Sequence, residues 1–457
     1  MNESNSEQTE SELFSNEQIV YITLSFIGFW IGINLLFGFI APFFNSGVST
    51  LWPVGKVEVM EPSISGILIA GSIFLAFLVI LKLNSKYDFN LYHIILIGIL
   101  LIICTNLIHG FWKGFITPTE SHGGLVFYWD ALKIENPYDF ITKYNARQEK
   151  LLLHSRTHPP GAVLLYYVFY KIFVFTALIS LAILIISVVM SAYFLYKILS
   201  RELNEYNLRY ITFLFLLIPA IQVYYLANLY AIVTSLFLGV IYYYTHPNKK
   251  ISLVGTISSL FLVAFLTFMV VFILGVLILF EFFKSYRTKK INNFQKLYII
   301  FICLFLIFVF FLITFRFNYI ESLLFASREE NPEGFRFFAN PFNYFITRVE
   351  NILEILFFFG PFLFLLVKRG FRLMKEDNPD LYLLTISAFI VLLTLFLAGA
   401  YKTGETARAC SYIYPFLIFP IAIYFEKMNF PLKEKNKLLI LIFAQAIIMQ
   451  TMGYYKW

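Results

Sequence analysis

The stretch "KLYIIFICLFLIFVFFLITFR", residues 296–316, decides what kind of protein this is. It is charged only at its two ends, and every residue between them is apolar apart from one tyrosine and one threonine. About 20 such residues in an α-helix span the roughly 30 Å of hydrocarbon in a bilayer. The stretch therefore predicts a membrane-spanning helix.

Comparable apolar runs recur along the chain, and the composition agrees with them. Of the 457 residues, 59% are hydrophobic, 20% aromatic and 14% charged, whereas soluble domains carry about 25% charged residues. We predict an all-α integral membrane protein, a polytopic bundle of about 13 transmembrane helices. The predicted spans are residues 19–43, 63–83, 91–109, 174–199, 210–226, 229–245, 251–265, 268–284, 296–316, 345–367, 381–400, 412–426 and 437–452.

The loops between the spans alternate in charge. One set is short and rich in Lys and Arg, and the positive-inside rule places it in the cytoplasm together with the N-terminus. The other set, residues 44–62, 110–173, 317–344 and 401–411, then faces outward. Topology thus explains the net charge of +7, and no nucleic-acid partner is predicted. The basic loops hold Lys82, Lys86, Lys197, Arg201, Arg209, Lys249, Lys250, Lys284, Arg287, Lys289, Lys290, Lys368, Arg369, Arg372, Lys375, Lys427, Lys433, Lys435 and Lys437.

The N-terminal residues 1–18 differ from the rest of the chain. They are polar and acidic and contain no Lys or Arg, so they lack the features of a signal peptide. We predict that they form a disordered cytoplasmic tail.

The long outer loop, residues 110–173, collects titratable side chains. Four of the six histidines lie in it or at its edge, beside several acids and arginines. Such a group is what a proton-transfer site requires. A metal site is the less favoured alternative, because the histidine spacing matches no strong ligand motif. The residues are His109, His122, His154, His158, Glu120, Asp130, Glu135, Asp139, Glu149, Arg147 and Arg156.

The end of this loop reads "HSRTHPPGAV", residues 154–163. A residue before proline is driven out of the α region, and the two prolines fix their own φ. The motif therefore predicts a rigid bracket that holds His154, Arg156 and His158 at the membrane surface, before an interfacial helix with an aromatic belt. The alternative is a plain helix entry with no chemical role.

Two further outer segments carry charge. In "GAYKTGETARACSYIYP", residues 399–415, Lys402, Glu405 and Arg408 precede a predicted span. The last two are three apart and would share one face of a helical turn. They predict either a phosphate clamp or a surface ion pair. The aromatic segment "FASREENPEGFRFFANP", residues 325–341, predicts a mobile lid or a plain amphipathic loop.

Together these segments resemble the GT-C glycosyltransferases, a superfamily that includes protein O-mannosyltransferases and the aminoarabinose transferases of lipid A. The resemblance rests on "YWDALKIENPYDFI" (128–141), "THPPGAVLLYY" (157–167), "FLTFM" (265–269) and "GETARACSYIYP" (404–415). It implies a GT-C-like transmembrane catalytic domain over residues 91–457, with the outer loop 110–173 carrying interfacial helices. Residues 19–90 would form an additional N-terminal transmembrane pair.

The resemblance implies a sugar donor on a polyprenyl phosphate and an acceptor that is a glycan, a lipid or a protein. Either Glu120 or Asp130 would take the proton from the acceptor, with inversion at the sugar. Arg156, His158 and Arg408 would lie near the phosphate, while His154 orients the loop. No cofactor is implied. The chain departs from the family in lacking paired acids after the helix that opens the loop, and it has Thr267 where the family usually has lysine.

Other functions remain open at this point. A lipid-linked oligosaccharide polymerase or ligase would also have many helices and a large outer loop. A transporter would bury ionisable residues within its spans, and the predicted spans are nearly free of charge, with Glu281 and Glu354 close to helix ends. A non-catalytic protein that binds membrane lipids is the remaining class. In the favoured reading the protein is a multi-pass cell-membrane enzyme with its active site on the extracytoplasmic face.

Overall fold

A computed structural model describes residues 12–44, 51, 53–54, 57–120, 127–289, 294–332, 334–401 and 404–455, and for residues 40–44 it describes the backbone only. Three helices come first, and polar residues cap two of them. Ser63 accepts a hydrogen bond from the amide of Gly66, and Asn90 accepts one from His93. These caps satisfy donors that the first turn leaves unpaired. The helices are α1 (Asn16–Phe44), α2 (Ile64–Tyr87) and α3 (Leu91–Asn106).

The described residues of the predicted outer loop, 110–120 and 127–173, form short helices that pack against the longer ones. None of them is long enough to cross a bilayer, and the last, which begins at Pro160, is the longest. These helices are α4 (Thr117–Glu120), α5 (Phe127–Ala131), α6 (Pro137–Thr142), α7 (Tyr144–Arg147), α8 (Leu153–Arg156) and α9 (Pro160–Ile172).

The remaining helices complete the bundle. Two short antiparallel strands, β1 (Glu58–Val59) and β2 (Gly453–Tyr454), join the segment before α2 to the C-terminal residues. The remaining helices are α10 (Thr176–Leu199), α11 (Glu205–Leu217), α12 (Pro219–Tyr224), α13 (Leu229–Tyr244), α14 (Lys249–Leu266), α15 (Val270–Thr288), α16 (Phe294–Phe315), α17 (Tyr319–Glu330), α18 (Arg336–Ala339), α19 (Pro341–Phe359), α20 (Pro361–Asp377), α21 (Pro379–Leu397), α22 (Thr406–Ala409), α23 (Tyr414–Met428) and α24 (Leu432–Met452).

The chain is a multi-pass helical membrane protein. Among the described residues, seven helices are long and apolar enough to cross a membrane, namely α1, α2, α3, α10, α14, α16 and α21. The bent pair α19 and α20 would make an eighth. The predicted number of about 13 is therefore not confirmed.

Breaks at proline explain part of this difference. The predicted span 210–226 divides into α11 and α12, because Ile218 precedes Pro219 and has an extended ψ of 134°. The predicted span 345–367 bends by 99° between α19 and α20. At that bend Gly360 has a φ of +104°, and Pro361 opens the next helix.

The spans differ in how deeply they lie in the bundle. In the most apolar 18 residues of α10, 56% of the residues are buried in the protein. In the corresponding part of α1, none is buried. Helix α10 packs mainly against α13, and α13 packs against α14. Beyond its polar first turn, most of the exposed side chains of α1 are apolar, among them Leu24, Phe29 and Leu35, as expected of a helix that faces lipid.

The basic loops meet at one end of the bundle, here called the basic end. Arg209 pairs with Asp88 at 2.9 Å, and Arg287 pairs with Asp380 at 2.8 Å. Asn204 donates to Glu426 at 2.9 Å. Described residues of the loops predicted to face outward contact one another elsewhere, at what is here called the loop end: Lys113 pairs with Glu58 at 3.1 Å, and Asn145 donates to the carbonyl oxygen of Asn318 at 2.9 Å.

The N-terminal tail, predicted to be disordered over residues 1–18, is ordered from residue 12 onward. Leu13 and Phe14 are each 2% exposed, and the amide of Leu13 donates to Glu434 at 3.0 Å. Helix α1 begins at Asn16. The prediction is wrong for residues 12–18, because two apolar side chains in an otherwise polar segment are enough to dock it. Residues 1–11 lie outside the described residues.

Candidate functional site

A cavity of about 380 Å³ lies at the loop end. Its walls come from α8, from the start of α13, from the break between α14 and α15, from α17 and from α22. Apolar side chains form more of the lining than polar ones do. The polar groups converge from segments far apart in sequence, and they include His154, His158, Asn228, Tyr230, Glu330, Asn331, Tyr401, Glu405 and Arg408.

The bracket "HSRTHPPG" forms one wall of this cavity. Pro159 has a φ of −65° and an extended ψ of 163°, and α9 begins at Pro160, where the missing amide hydrogen costs nothing. The hydroxyl of Tyr144, which is buried, contacts the carbonyl oxygen of Ser155 at 2.7 Å and also that of His158. A buried tyrosine thus fixes the backbone of the residues just before α9.

His158 is a neutral, oriented imidazole. Its Nδ1 lies 2.9 Å from the carbonyl oxygen of His154. Because a carbonyl can only accept, we place the proton on Nδ1, so that Nε2 accepts from the hydroxyl of Tyr230 at 3.1 Å. Burial, and then the charges of His154 and Arg408, lower the pKa of His158 to about 3. The ring thus stays uncharged at neutral pH.

This depressed pKa predicts a loss of stability in acid. In the unfolded chain His158 takes up a proton near pH 6.5, whereas in the folded chain it does so only near the lowered pKa of about 3. The contribution of a neutral His158 to stability is therefore complete above about pH 6.5 and falls as the pH drops toward 3, by about 2 kcal/mol at pH 5. Melting temperatures in detergent from pH 8 to pH 5 should fall less steeply for His158→Asn than for the wild type. Equal slopes would contradict this assignment.

Arg408 lies in α22, and Glu405 is the residue directly before that helix. Both side chains line the cavity. Arg408 Nη2 lies 3.5 Å from Glu405 Oε2, and the two side chains are 19% and 25% exposed. The pair lies one turn apart, as its spacing of three residues predicts. Lys402, the other predicted residue of this segment, lies outside the described residues, as does His122.

Arg156 does not line the cavity and instead pairs with α17, which covers one side of it. Its Nη2 lies 2.8 Å from Oε2 of Glu329. Gln148 donates to the carbonyl of Ser322 in the same helix at 3.1 Å. Asn145 and Asn318 exchange two hydrogen bonds at the start of α17. Helix α17, whose last residues begin the predicted lid segment 325–341, is thus fastened to the outer loop by several side chains.

We expect Arg156→Ala to have a small effect. The ion pair with Glu329 is about one-third exposed, with side-chain exposures of 30% and 27%. Such pairs contribute below about 1 kcal/mol. Binding of a phosphate-bearing amphiphile should change by less than roughly fivefold. The charge-swapped pair Arg156→Glu with Glu329→Arg should recover the wild-type value, and a loss of binding as large as that of Arg408→Ala would show that Arg156 contacts the ligand.

The two predicted bases, Glu120 and Asp130, do not line the cavity. Glu120 accepts a hydrogen bond from the hydroxyl of Thr176 at 2.8 Å. Asp130 is 3% exposed. Its carboxylate accepts from the amide of Leu152 at 2.8 Å and pairs with Lys133 at 3.0 Å. Asp130 thus ties α5 to the residue that precedes α8, which carries His154.

Among the described residues, the carboxylates that do line the cavity are Glu330 and Glu405. Sequence reasoning named Glu405 but missed Glu330, because α17 was interpreted only as a lid or an amphipathic loop. It also missed Arg348 and Glu350 of α19, and it named Glu354 only as a charge close to a helix end. All three residues are at most 5% exposed. They lie within the predicted span 345–367, and charges in that position were the available signal.

Comparisons with known proteins identify no relative. No family model, no curated protein and no solved structure matches the chain. Within the described part of the chain, no three His, Cys, Asp or Glu side chains lie close enough together to hold a metal ion. The function must therefore be inferred from the cavity itself.

Proposed function

We propose that this protein is a membrane glycosyltransferase that moves a sugar from a polyprenyl-phosphate carrier to an acceptor hydroxyl, with inversion. The observation that carries the proposal is the loop-end cavity, where Arg408, two histidines and two carboxylates meet beside apolar walls. A lipid with a phosphate headgroup needs this combination of a cation for the phosphate and an apolar path for the chain.

The proposed transfer reaction assigns roles to the charged side chains in and beside the cavity. The acceptor oxygen attacks the anomeric carbon as its proton passes to a carboxylate, and the bond from that carbon to the phosphate oxygen breaks. The electron pair leaves with the lipid phosphate, whose charge Arg408 stabilises. Glu330 and Glu405 both line the cavity, and Glu330 is our choice for the base, because Glu405 lies 3.5 Å from Arg408, the group that we assign to the phosphate. Asp130 is then a positioning residue for the bracket.

The apolar wall suits a lipid chain. Phe268, Met269 and Val271 line the cavity where α14 ends and α15 begins, and Leu395 lines it from α21. A helix break at membrane depth is tolerated where it borders a cavity. A prenyl chain would lie along this wall, with its phosphate at Arg408.

Two alternatives use the same site differently. A lipid-linked oligosaccharide polymerase or ligase would bind the same kind of donor but pass a whole glycan. A transporter is favoured by one observation, the ionisable residues buried in α19. However, Arg348 and Glu354 are already hydrogen-bonded to backbone groups of α21 and α22, and a transport path requires several groups that can exchange partners.

The proposal is tested by incubating the purified protein in vesicles with a polyprenyl-phosphate sugar labelled in the sugar. Transfer of the label to an acceptor with release of polyprenyl phosphate is the expected result. Movement of the intact donor across the vesicle membrane would identify a transporter and overturn the proposal. A parallel arm with EDTA decides whether a divalent ion takes part. A donor that carries an oligosaccharide distinguishes the polymerase or ligase.

A further inference from the structure

Helix α19 carries four buried charged or amide side chains in two turns. Arg348 and Glu354 are 5% and 1% exposed, and Glu350 and Asn351 are both fully buried. Ionisable groups are costly in such an apolar position and persist when they serve a purpose. Their partners show what two of them do.

Glu354 holds the first turn of α22. Its Oε2 lies 3.2 Å from the amide nitrogen of Thr406, and its Oε1 lies 3.3 Å from that of Ala407. Asn351 adds a third bond, accepting from the hydroxyl of Thr406 at 3.0 Å. The first amides of a helix have no partner within it, and a carboxylate satisfies them with charge-assisted bonds. The turn that carries Arg408 is therefore fastened to α19 from behind.

Arg348 holds the end of α21 and the residues that follow it, which also line the cavity. It donates to the carbonyl oxygens of Phe396 and Ala400, each at 2.7 Å, and to that of Tyr401 at 2.8 Å. These carbonyls lie at and just beyond the C-terminus of α21, where a cation is favoured. One helix thus fixes both segments that bring Tyr401 and Arg408 to the cavity.

We infer that Glu354 is a positioning residue that aims Arg408 at an anionic headgroup by holding the first two amides of α22. The inference rests on the proposed role of Arg408 as the phosphate-binding group. Glu350 provides the comparison, since it lies one turn away on the same helix and is equally buried. Neither of its carboxylate oxygens has a hydrogen-bond partner among the described residues.

The reactivity of Cys410 measures how firmly α22 is packed, and this measurement requires no ligand. Cys410 follows α22, is fully buried, and accepts from the hydroxyl of Tyr412 at 3.6 Å. Burial raises the pKa of its thiol to about 12, so in the wild type it should react slowly with N-ethylmaleimide. Glu354→Gln, which keeps one acceptor oxygen but loses the charge, should increase the labelling of Cys410 roughly tenfold. Glu350→Gln should leave the labelling at the wild-type rate.

A binding measurement shows whether Glu354→Gln specifically misplaces Arg408 or loosens the whole cavity wall. Farnesyl phosphate and farnesol are titrated calorimetrically into the full chain in detergent. Glu354→Gln should weaken the affinity for the phosphate roughly tenfold and leave that for the alcohol unchanged. In the Arg408→Ala background, Glu354→Gln should have no further effect on phosphate affinity, because the two residues act as one unit. The milder variant Thr406→Val, which loses only the bond to Asn351, should give a smaller change in the same direction.

The outcomes are distinct. Unchanged Cys410 labelling in Glu354→Gln, or equal losses for phosphate and alcohol, would overturn the positioning role. If Glu354→Gln cannot be purified, Thr406→Val decides the question by the same two readouts. Failure of the wild type to prefer farnesyl phosphate over farnesol would overturn the proposed role of Arg408, while the labelling result would still decide whether Glu354 holds α22.

Discussion

Replacing Arg408 with alanine is expected to reduce sugar transfer roughly 100-fold or more, which corresponds to about 2.7 kcal/mol of transition-state stabilisation. Arg408 is the one arginine among the described residues that line the loop-end cavity, and its side chain is only 19% exposed. A lipid phosphate that leaves with two negative charges needs a cation at this position. The protein should fold normally, because Arg408 points into a cavity rather than into the packed core.

Conservative and matched variants show whether the arginine acts through its charge or its shape. Arg408→Lys keeps the charge but loses the planar fork, so it should recover only part of the rate. Arg156→Ala removes an arginine from the same end of the protein and should cost little. Rates are measured by release of polyprenyl phosphate at saturating donor. Wild-type turnover in Arg408→Ala would show that the phosphate binds elsewhere.

Gly161→Ala is expected to have a large effect on folding. A Cβ at this position would lie 2.2 Å from the carbonyl oxygen of Phe265 and 2.3 Å from Cδ1 of its ring. The first of these atoms is backbone, so α9 would have to move away from α14. Overpacking of this kind costs about 1–3 kcal/mol or more, and the shift would carry the adjoining His158 with it. A lower melting temperature and a poor yield in detergent are the expected results.

Gly71→Ala is the matched control. This glycine lies in α2 and has no heavy atom within 4 Å of the added Cβ, so the variant should behave as the wild type or be slightly more stable. The melting temperatures of both variants are compared by size-exclusion chromatography after heating. Equal stability of Gly161→Ala and the wild type would mean that α9 does not approach α14 as closely as the structure shows.

Much of the architecture could be predicted from sequence, because burial in lipid requires long apolar helices. The predicted span 296–316 corresponds to α16, Phe294–Phe315, and the predicted span 174–199 corresponds to α10, Thr176–Leu199. The grouping of the basic loops at one end also follows from composition. Predicted spans were less reliable where proline interrupts an apolar run, as at Pro219 and Pro361, since apolar composition does not distinguish one helix from two.

The candidate site was predictable only in part. The histidines of the bracket and the pair Glu405 and Arg408 were found because polar groups are rare in this chain and these occur in short clusters. Glu120 and Asp130 were equally good candidates by that criterion, yet their side chains turn to Thr176 and to the amide of Leu152. The direction in which a carboxylate points depends on neighbours that are distant in sequence. The local sequence pattern does not identify those neighbours.

The sequence by itself determined that this is a helical membrane protein, which of its loops are basic, and which short segments can carry chemistry. These properties depend on the free energy of transferring residues into lipid and on local backbone preference. Only the tertiary structure decided that Arg408 and His158 share one cavity with Glu330, and that Glu354 holds the turn beneath Arg408. Those arrangements arise from the packing of helices against one another, where a few hydrogen bonds between distant residues select one arrangement from many that apolar patterning allows equally.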